Sequence, residues 1–356
     1  MYYYIKYTLI FFDNFQYKLL INRILKKKQK INLPLKLNFN LFYLYFSALN
    51  EKLIMSLIVL TGTTGYIGQN LTKYFNSKSK KNKSISLRFQ NWHKMMPLET
   101  ETIIHLAAIN LNPQDSAFDE EYFRVNTELT AKLFRYFLNS NAKTFIFLST
   151  TELIDKQISE VTEDAKVNPT NPFLQSKFDA EQFILKQILP EGKRAIILRV
   201  APVYGRETKS ILHDTFSFCK RFPWFFGVFD TKQSFCYIDN LTEIIAQISE
   251  KTTVPSGIYN VTDNEPVVTT QLVNWIADVF DKKAKIIKVP KGILSLFAKI
   301  GDIFKWEYNS KKLLEISQSR IINGNRVKKA LEINKMPFDT EIAVLKTIEY
   351  YDSIKI

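Results

Sequence analysis

Three observations predict an α/β fold built on a doubly wound parallel sheet. Short apolar runs recur at residues 57–60, 102–106, 144–148 and 194–200. Helical patterns separate them, carried by Leu71, Tyr74 and Phe75 after the first run and by Leu129, Leu133, Phe134 and Phe137 before the third. A tight turn with glycines at 62, 65 and 68 joins the first run to its helix. Strands buried on both faces read as continuous apolar runs, and their alternation with helices calls for parallel pairing through right-handed crossovers. With 356 residues, 46% of them hydrophobic, the chain can fill such a core.

Composition divides the chain into three parts. Residues 1–54 form a basic, aromatic extension, residues 55–205 are expected to be the doubly wound domain, and residues 206–356 a smaller α/β region from which 235–262 return to the main domain. Residues 1–55 lack glycine and hold nine Lys/Arg against Asp13 and Glu51, which is half of the net charge of +14. Their longest apolar run is too short to span a bilayer, and no small-residue cleavage site follows it. A stretch of this kind suits a membrane surface. The stronger expectation is that Met55 opens the functional chain and that residues 1–54 are dispensable or an artefact of start-site choice. The remainder is only mildly basic, so nucleic acid is not expected as a partner, while a modest positive field favours an anionic substrate. Two cysteines, Cys219 and Cys236, cannot build a disulfide framework and fit a reducing cytoplasm. His93, His105 and His213 lack metal-ligand spacing, and no metal site is assigned.

The first strand runs into Thr61-Gly62-Thr63-Thr64-Gly65-Tyr66-Ile67-Gly68, spaced G-x-x-G-x-x-G. Gly62 permits the tight turn, Gly65 lets backbone approach a pyrophosphate, and Gly68 lets the helix pack close to the strand. The helix N-terminus offers free N–H groups and its positive dipole end to phosphates, as in Rossmann-like folds. Thr64, Tyr66 and Ile67 share this loop and first turn. A second strand is expected over 84–87, followed by Arg88. No Asp or Glu occurs from Gln69 to Leu98. An acid there would bond the ribose 2′-hydroxyl of NAD, whereas an arginine can meet a 2′-phosphate, so NADP is favoured over NAD. The lesser alternative is that Arg88 is a solvated cation or a guanidinium stacked on adenine.

The next strand ends in Leu106-Ala107-Ala108, small enough for close approach of the nicotinamide half. Residues 126–138 read as a helix. The strand over 144–148 ends in Ser149-Thr150-Thr151, and the strand over 194–200 ends at Val200. Beyond Gly205 the chain turns aromatic, with Phe216, Phe218, Phe222, Trp224, Phe225, Phe226 and Phe229. These serve either a ring-and-sugar pocket or the core of the smaller region. Residues 272–280 and 293–304 read as helices.

Taken in order, the glycine loop, His105-Leu106-Ala107-Ala108, Val125-Asn126-Thr127 and Phe147-Leu148-Ser149-Thr150 resemble the extended short-chain dehydrogenase/reductase family of nucleotide-sugar epimerases and dehydratases. Leu198-Arg199-Val200-Ala201-Pro202-Val203-Tyr204-Gly205, residues 235–241 and Gly257-Ile258-Tyr259-Asn260-Val261 continue the match, which covers roughly residues 56–350. The texture is that of epimerase-like proteins of bacterial surface-polysaccharide pathways. The resemblance implies a nicotinamide cofactor, a UDP-hexose or UDP-N-acetylhexosamine substrate, hydride transfer and a homodimer. It places cofactor contacts at Gly62, Thr64, Gly65, Tyr66, Ile67, Gly68, Arg88, Leu106, Ala107, Ala108, Asn126, Lys177 and Val200. Substrate contacts fall at Thr151, Pro202, Lys232 and Gln233.

The family's chemistry uses Tyr-x-x-x-Lys and a strand-end Ser or Thr. One helical turn puts Tyr and Lys on one face, and the ammonium lowers the phenol pKa for proton transfer at a sugar hydroxyl. Here residues 168–177, leading into a helix expected over 178–186, supply Lys177, and Thr150 takes the hydroxyl position. The tyrosine position holds Phe173, which has no hydroxyl. Gln233 stands where many relatives carry a phosphate-clamping Arg, and Pro202 where a sugar-binding Asn often stands. Two readings follow: an oxidoreductase or epimerase of nucleotide sugars, or a catalytically impaired relative that binds cofactor in a structural or regulatory role.

Overall fold

The computed structural model describes residues 57–109, 119–208, 211–221, 224–226, 230–280, 285–287, 290–304, 306, 309–310, 313 and 317–354. The extension and the expected start at Met55 lie outside the described residues.

Six parallel strands form the central sheet: β1 (Leu57–Thr61), β2 (Asn82–Ser84), β3 (Thr100–His105), β4 (Thr144–Thr150), β5 (Arg194–Val200) and β6 (Gly257–Val261). Their spatial order is β2-β1-β3-β4-β5-β6. The chain leaves β1 outward to β2 and then crosses back past β1 to β3. The connections leaving the carboxyl ends of β1 and β3 therefore run in opposite directions, and such a reversal opens the crevice where doubly wound sheets bind ligands.

Alternation along the strands feeds two layers. Ile58, Leu60, Ile104, Ile146, Ile196 and Leu198 pack under Leu71 and Phe75 of α1 (Tyr66–Ser77) and Ile244, Ile245 and Ile248 of a helix at Ile238–Glu250. On the other face, Val59, Ile103, Phe145, Phe147 and Ile197 meet Leu133, Phe134 and Phe137 of α2 (Leu129–Asn139) and Ala180 and Ile184 of α3 (Pro172–Leu185). Full burial of each such side chain stabilises by about 1.5–3 kcal/mol. A third cluster joins Tyr204, Phe216, Tyr237, Leu272, Val344 and Tyr351 in the C-terminal region. Phe216 is buried there against Phe280 and Tyr351. The side chains of Phe218, Phe222, Trp224, Phe225, Phe226 and Phe229 lie outside the described residues.

Three expected boundaries move. The second strand is Asn82–Ser84, not 84–87: pairing with β1 closes with Ile85 N–H donating to Leu60 O. Ile85 and Leu87 are buried beyond it, so the apolar run that implied a strand is loop packing. Helix α3 begins at Pro172, not 178. Asn171 Oδ1 accepts from Leu174 N at 2.8 Å, and Pro172 stands at the first helical position, a strong start signal. Helical structure before α2 likewise begins at Asp119 rather than 126, passing through a π-helical segment, Phe123–Glu128. Among the described residues no helix is long and apolar enough to cross a membrane.

Candidate active site

The glycine loop leaves β1 at the switch point. Gly62 has φ +74°, and a Cβ there would stand 2.4 Å from the Ala107 backbone nitrogen. A Cβ at Gly68 would stand 2.3 Å from Gly62 O. The fold itself therefore demands glycine at both positions. Gly65 differs: its φ is −78°, and a Cβ would meet only Gly62 O, at 3.5 Å. The protein leaves room there that a side chain would fill. Gly65 is also the N-cap of α1, with no side-chain cap and no acid in the first turn. The N–H groups of Tyr66, Ile67 and Gly68 have no intrahelical partner and carry the positive end of the dipole. Thr64 and Gly65 are exposed beside them.

Behind the loop lies a fully buried relay. Thr61 Oγ1 is 2.7 Å from His105 Nδ1, and His105 Nε2 is 2.8 Å from Thr130 Oγ1. Thr130 donates its own proton to Asn126 O at 2.7 Å, so it must accept from Nε2–H. The ring is therefore the Nε2–H tautomer, with Thr61 donating to Nδ1. Burial, with the Lys177 charge adding to it, holds the His105 pKa down to about 3. His105 is thus a neutral strut tying β1, β3 and α2 together beneath Leu106, Ala107 and Ala108, not a titrating base.

Across the crevice, α3 presents Phe173 and Lys177 one turn apart. Lys177 is only 6% exposed; its Nζ donates to Leu148 O at 2.8 Å and sits 4.8 Å from the Phe147 ring centroid. Burial lowers its pKa to about 8, against the opposing pull of Glu181. Thr150 ends β4 half-buried, its Oγ1 accepting from Glu152 N at 3.2 Å, so its proton is left to donate. Asn126 is buried and donates to Ser176 Oγ at 3.0 Å and to Ile109 O, and its Oδ1 accepts from Ile109 N. It fixes the backbone just past Ala108 to the residue before Lys177. Phe173 is half-buried and meets Tyr122 edge-on, with centroids 5.8 Å apart. Among the described residues, the Tyr122 hydroxyl and Ser149 Oγ are buried without a hydrogen-bond partner.

The remaining expected positions spread around this centre. Val200 is buried between Thr150 and Val261. Thr151 is buried, and its hydroxyl donates to Val200 O at 3.3 Å. Pro202 is exposed past the end of β5. Arg88 is exposed in the turn following β2. Lys232–Gln233 form a short strand against Val267–Val268; Lys232 is exposed, and the Gln233 amide donates to Gln318 O at 2.7 Å. Sequence reasoning missed Arg320, whose guanidinium donates to the carbonyls of Thr151, Ile154 and Asp155 and whose backbone bonds Lys232 and Ser234. It also missed the buried pair behind Lys177, where Arg199 forks onto Glu181 at 2.6–3.2 Å. A charged residue inside the apolar run 194–200 was the available signal for that pair.

A doubly wound sheet with a glycine loop at its switch point, and a buried lysine bonded to the end of β4, defines a dinucleotide-binding class of fold. Within that class the chain belongs to the NAD dependent epimerase/dehydratase family, whose model matches residues 58–262. Among curated proteins it is similar to a UDP-glucose 4-epimerase of Vibrio cholerae, 27% identical over 269 residues that span 68% of this chain and 81% of the relative. Among solved structures it resembles a UDP-N-acetylglucosamine 4-epimerase from Bacillus cereus, with TM-score 0.64 and 16% identity, covering 83% of this chain and 99% of that one. It also resembles RMD from Pseudomonas aeruginosa, solved with NADPH, with TM-score 0.64 and 16% identity, covering 84% of this chain and 99% of that one.

Proposed function

We propose that the protein binds a nicotinamide dinucleotide at the Gly62–Gly68 loop and acts on a nucleotide sugar, with turnover held down by Phe173. The observation that carries this reading is Gly65. Nothing among the described residues requires glycine there, and a pyrophosphate at an uncapped helix N-terminus does. The Tyr66, Ile67 and Gly68 N–H groups would hold the phosphates, Ala107 and Ala108 would leave room for the nicotinamide half, and the Lys177 ammonium would meet ribose hydroxyls. The cofactor supplies hydride transfer. Arg88 and the absence of any acid in 69–98 favour NADP over NAD. Thr150 orients the sugar oxygen through its free proton. Phe173 fills the base position with a ring that cannot move a proton. A second reading, a cofactor-binding relative with little catalysis, rests on that same ring.

The test is a binding titration of NADPH and NADH, followed by a screen of UDP-hexoses and UDP-N-acetylhexosamines with the parent and Phe173→Tyr. Micromolar binding is expected, tighter for NADPH, with preference moving toward NADH in Arg88→Asp. Absence of binding by either nucleotide would remove the reading altogether. Binding with no gain in Phe173→Tyr would favour the second reading.

A further inference from the structure

A helix at Lys291–Phe304, here α4, packs by one side only. Leu294 and Ala298 are 8% and 0% exposed, whereas Ile293, Leu296, Phe297, Ile303 and Phe304 are 47–76% exposed. At about 100° per residue these five fall within one arc of roughly 120°, an apolar stripe along the helix. Trp306, just past the helix end, is 54% exposed and stacks on Phe304 with ring centroids 5.5 Å apart. Scattered exposed apolar residues are ordinary; a continuous stripe ending in two stacked aromatics is not.

Charge is concentrated in the same stretch of sequence. Residues 281–312 carry nine lysines against Asp281, Asp302 and Glu307, a net +6. Residues 56–356 as a whole hold 40 Lys/Arg against 33 acids, a net +7, so nearly all of that excess falls in the stretch of sequence that contains this helix. Lys299 is exposed at the edge of the stripe, while the Asp302 carboxylate is turned to the Ser310 hydroxyl and N–H.

We propose that this face is a docking surface for an anionic lipid bilayer. An amphipathic helix with Trp and Phe beside the apolar face, in a lysine-rich stretch of sequence, lies in the headgroup plane with its apolar stripe down and its cations toward lipid phosphates. Fourteen residues rise only about 21 Å, short of the ~30 Å hydrocarbon core, so the helix lies on the bilayer and does not span it. Ile293, Leu296 and Ile303 give hydrocarbon contact that a nucleic-acid backbone cannot use. Dinucleotide binding plays no part in this argument.

The experiment is co-sedimentation of the full-length protein with vesicles of phosphatidylcholine alone and of phosphatidylcholine with phosphatidylglycerol, at low and high salt. Capture by the anionic vesicles is expected, weakened by salt and small on the neutral ones. The variants Leu296→Glu/Phe297→Glu and the milder Leu296→Ser/Phe297→Ser change exposed side chains, keep the parent's melting temperature, and lower capture at least about tenfold. Undiminished capture of both variants would overturn the proposal and move binding elsewhere, the basic residues 1–54 included. So would failure of the parent to bind, or a vesicle-independent dimer that the variants dissociate.

Discussion

Phe173 and Lys177 stand one turn apart on α3, and only one of them can exchange a proton. General acid–base catalysis is worth roughly 10²–10⁴-fold, so Phe173→Tyr is expected to raise turnover on the right nucleotide sugar by at least the lower figure. Initial rates on a panel of UDP-sugars measure this, and equal rates would show that the missing hydroxyl is not limiting. The glycines separate in the same way. Gly65→Ala is expected to leave the melting temperature close to the parent's, because its Cβ comes no closer than 3.5 Å to Gly62 O, while weakening dinucleotide affinity at least about tenfold if the proposed pyrophosphate lies there. Gly68→Ala drives a Cβ to 2.3 Å from Gly62 O and is expected to lower stability first. Calorimetry beside a binding titration distinguishes the two. Lys177 gives a pH dependence. Its folded pKa of about 8 lies below the ordinary value of 10.5, so the ammonium is lost as pH rises through about 8. Dinucleotide affinity is expected to fall through that window in the parent and to stay flat in Lys177→Met. For stability the sign is opposite: from about 8 to 10.5 the unfolded chain binds the extra proton, and stability rises with pH.

At the scale of elements, α3 is set by its start and by what it pairs with. Asn171 and Pro172 fix the first turn, and that turn puts Phe173 and Lys177 on one face. Glu181, one turn beyond Lys177, is fully buried and holds Arg199 of β5, which also donates to Glu163 O at 3.1 Å. The pair locks α3 to the sheet and sets the distance from Lys177 to the β4 carbonyls. Removing one partner strands a buried charge, so Glu181→Gln is expected to cost about 3–5 kcal/mol in a denaturant melt, with part recovered in Glu181→Leu/Arg199→Met. A loss below 1 kcal/mol would mean water already reaches the pair. The start of α3 was legible in Asn-Pro and was overlooked. The end of β2 was not legible, because 85–87 is as apolar as a strand and only pairing with Leu60 decides where hydrogen bonding stops.

At the scale of the whole molecule, the relay Thr61–His105–Thr130 joins two strands and a helix through one neutral ring. An unfolded histidine takes up a proton near pH 6.5 and the folded ring only near 3, so the unfolded chain holds more protons between them and stability falls as pH falls. The loss is expected to approach about 5 kcal/mol as pH falls to 3 and to shrink in His105→Gln, read from melts at stepped pH. By itself the sequence determined the strand–helix alternation and the place of the glycine turn, because hydrophobic period and residue chemistry are local properties. Tertiary structure alone decided that Gly65 is spare while Gly62 and Gly68 are not, since that depends on the approach of Ala107 from β3 and of the Gly62 carbonyl to α1. It alone turned His105 into a strut, buried Lys177 over Phe147, and gave Arg320 to the carbonyls beside Thr150. Those roles come from contacts between residues far apart in the chain, which no local pattern encodes.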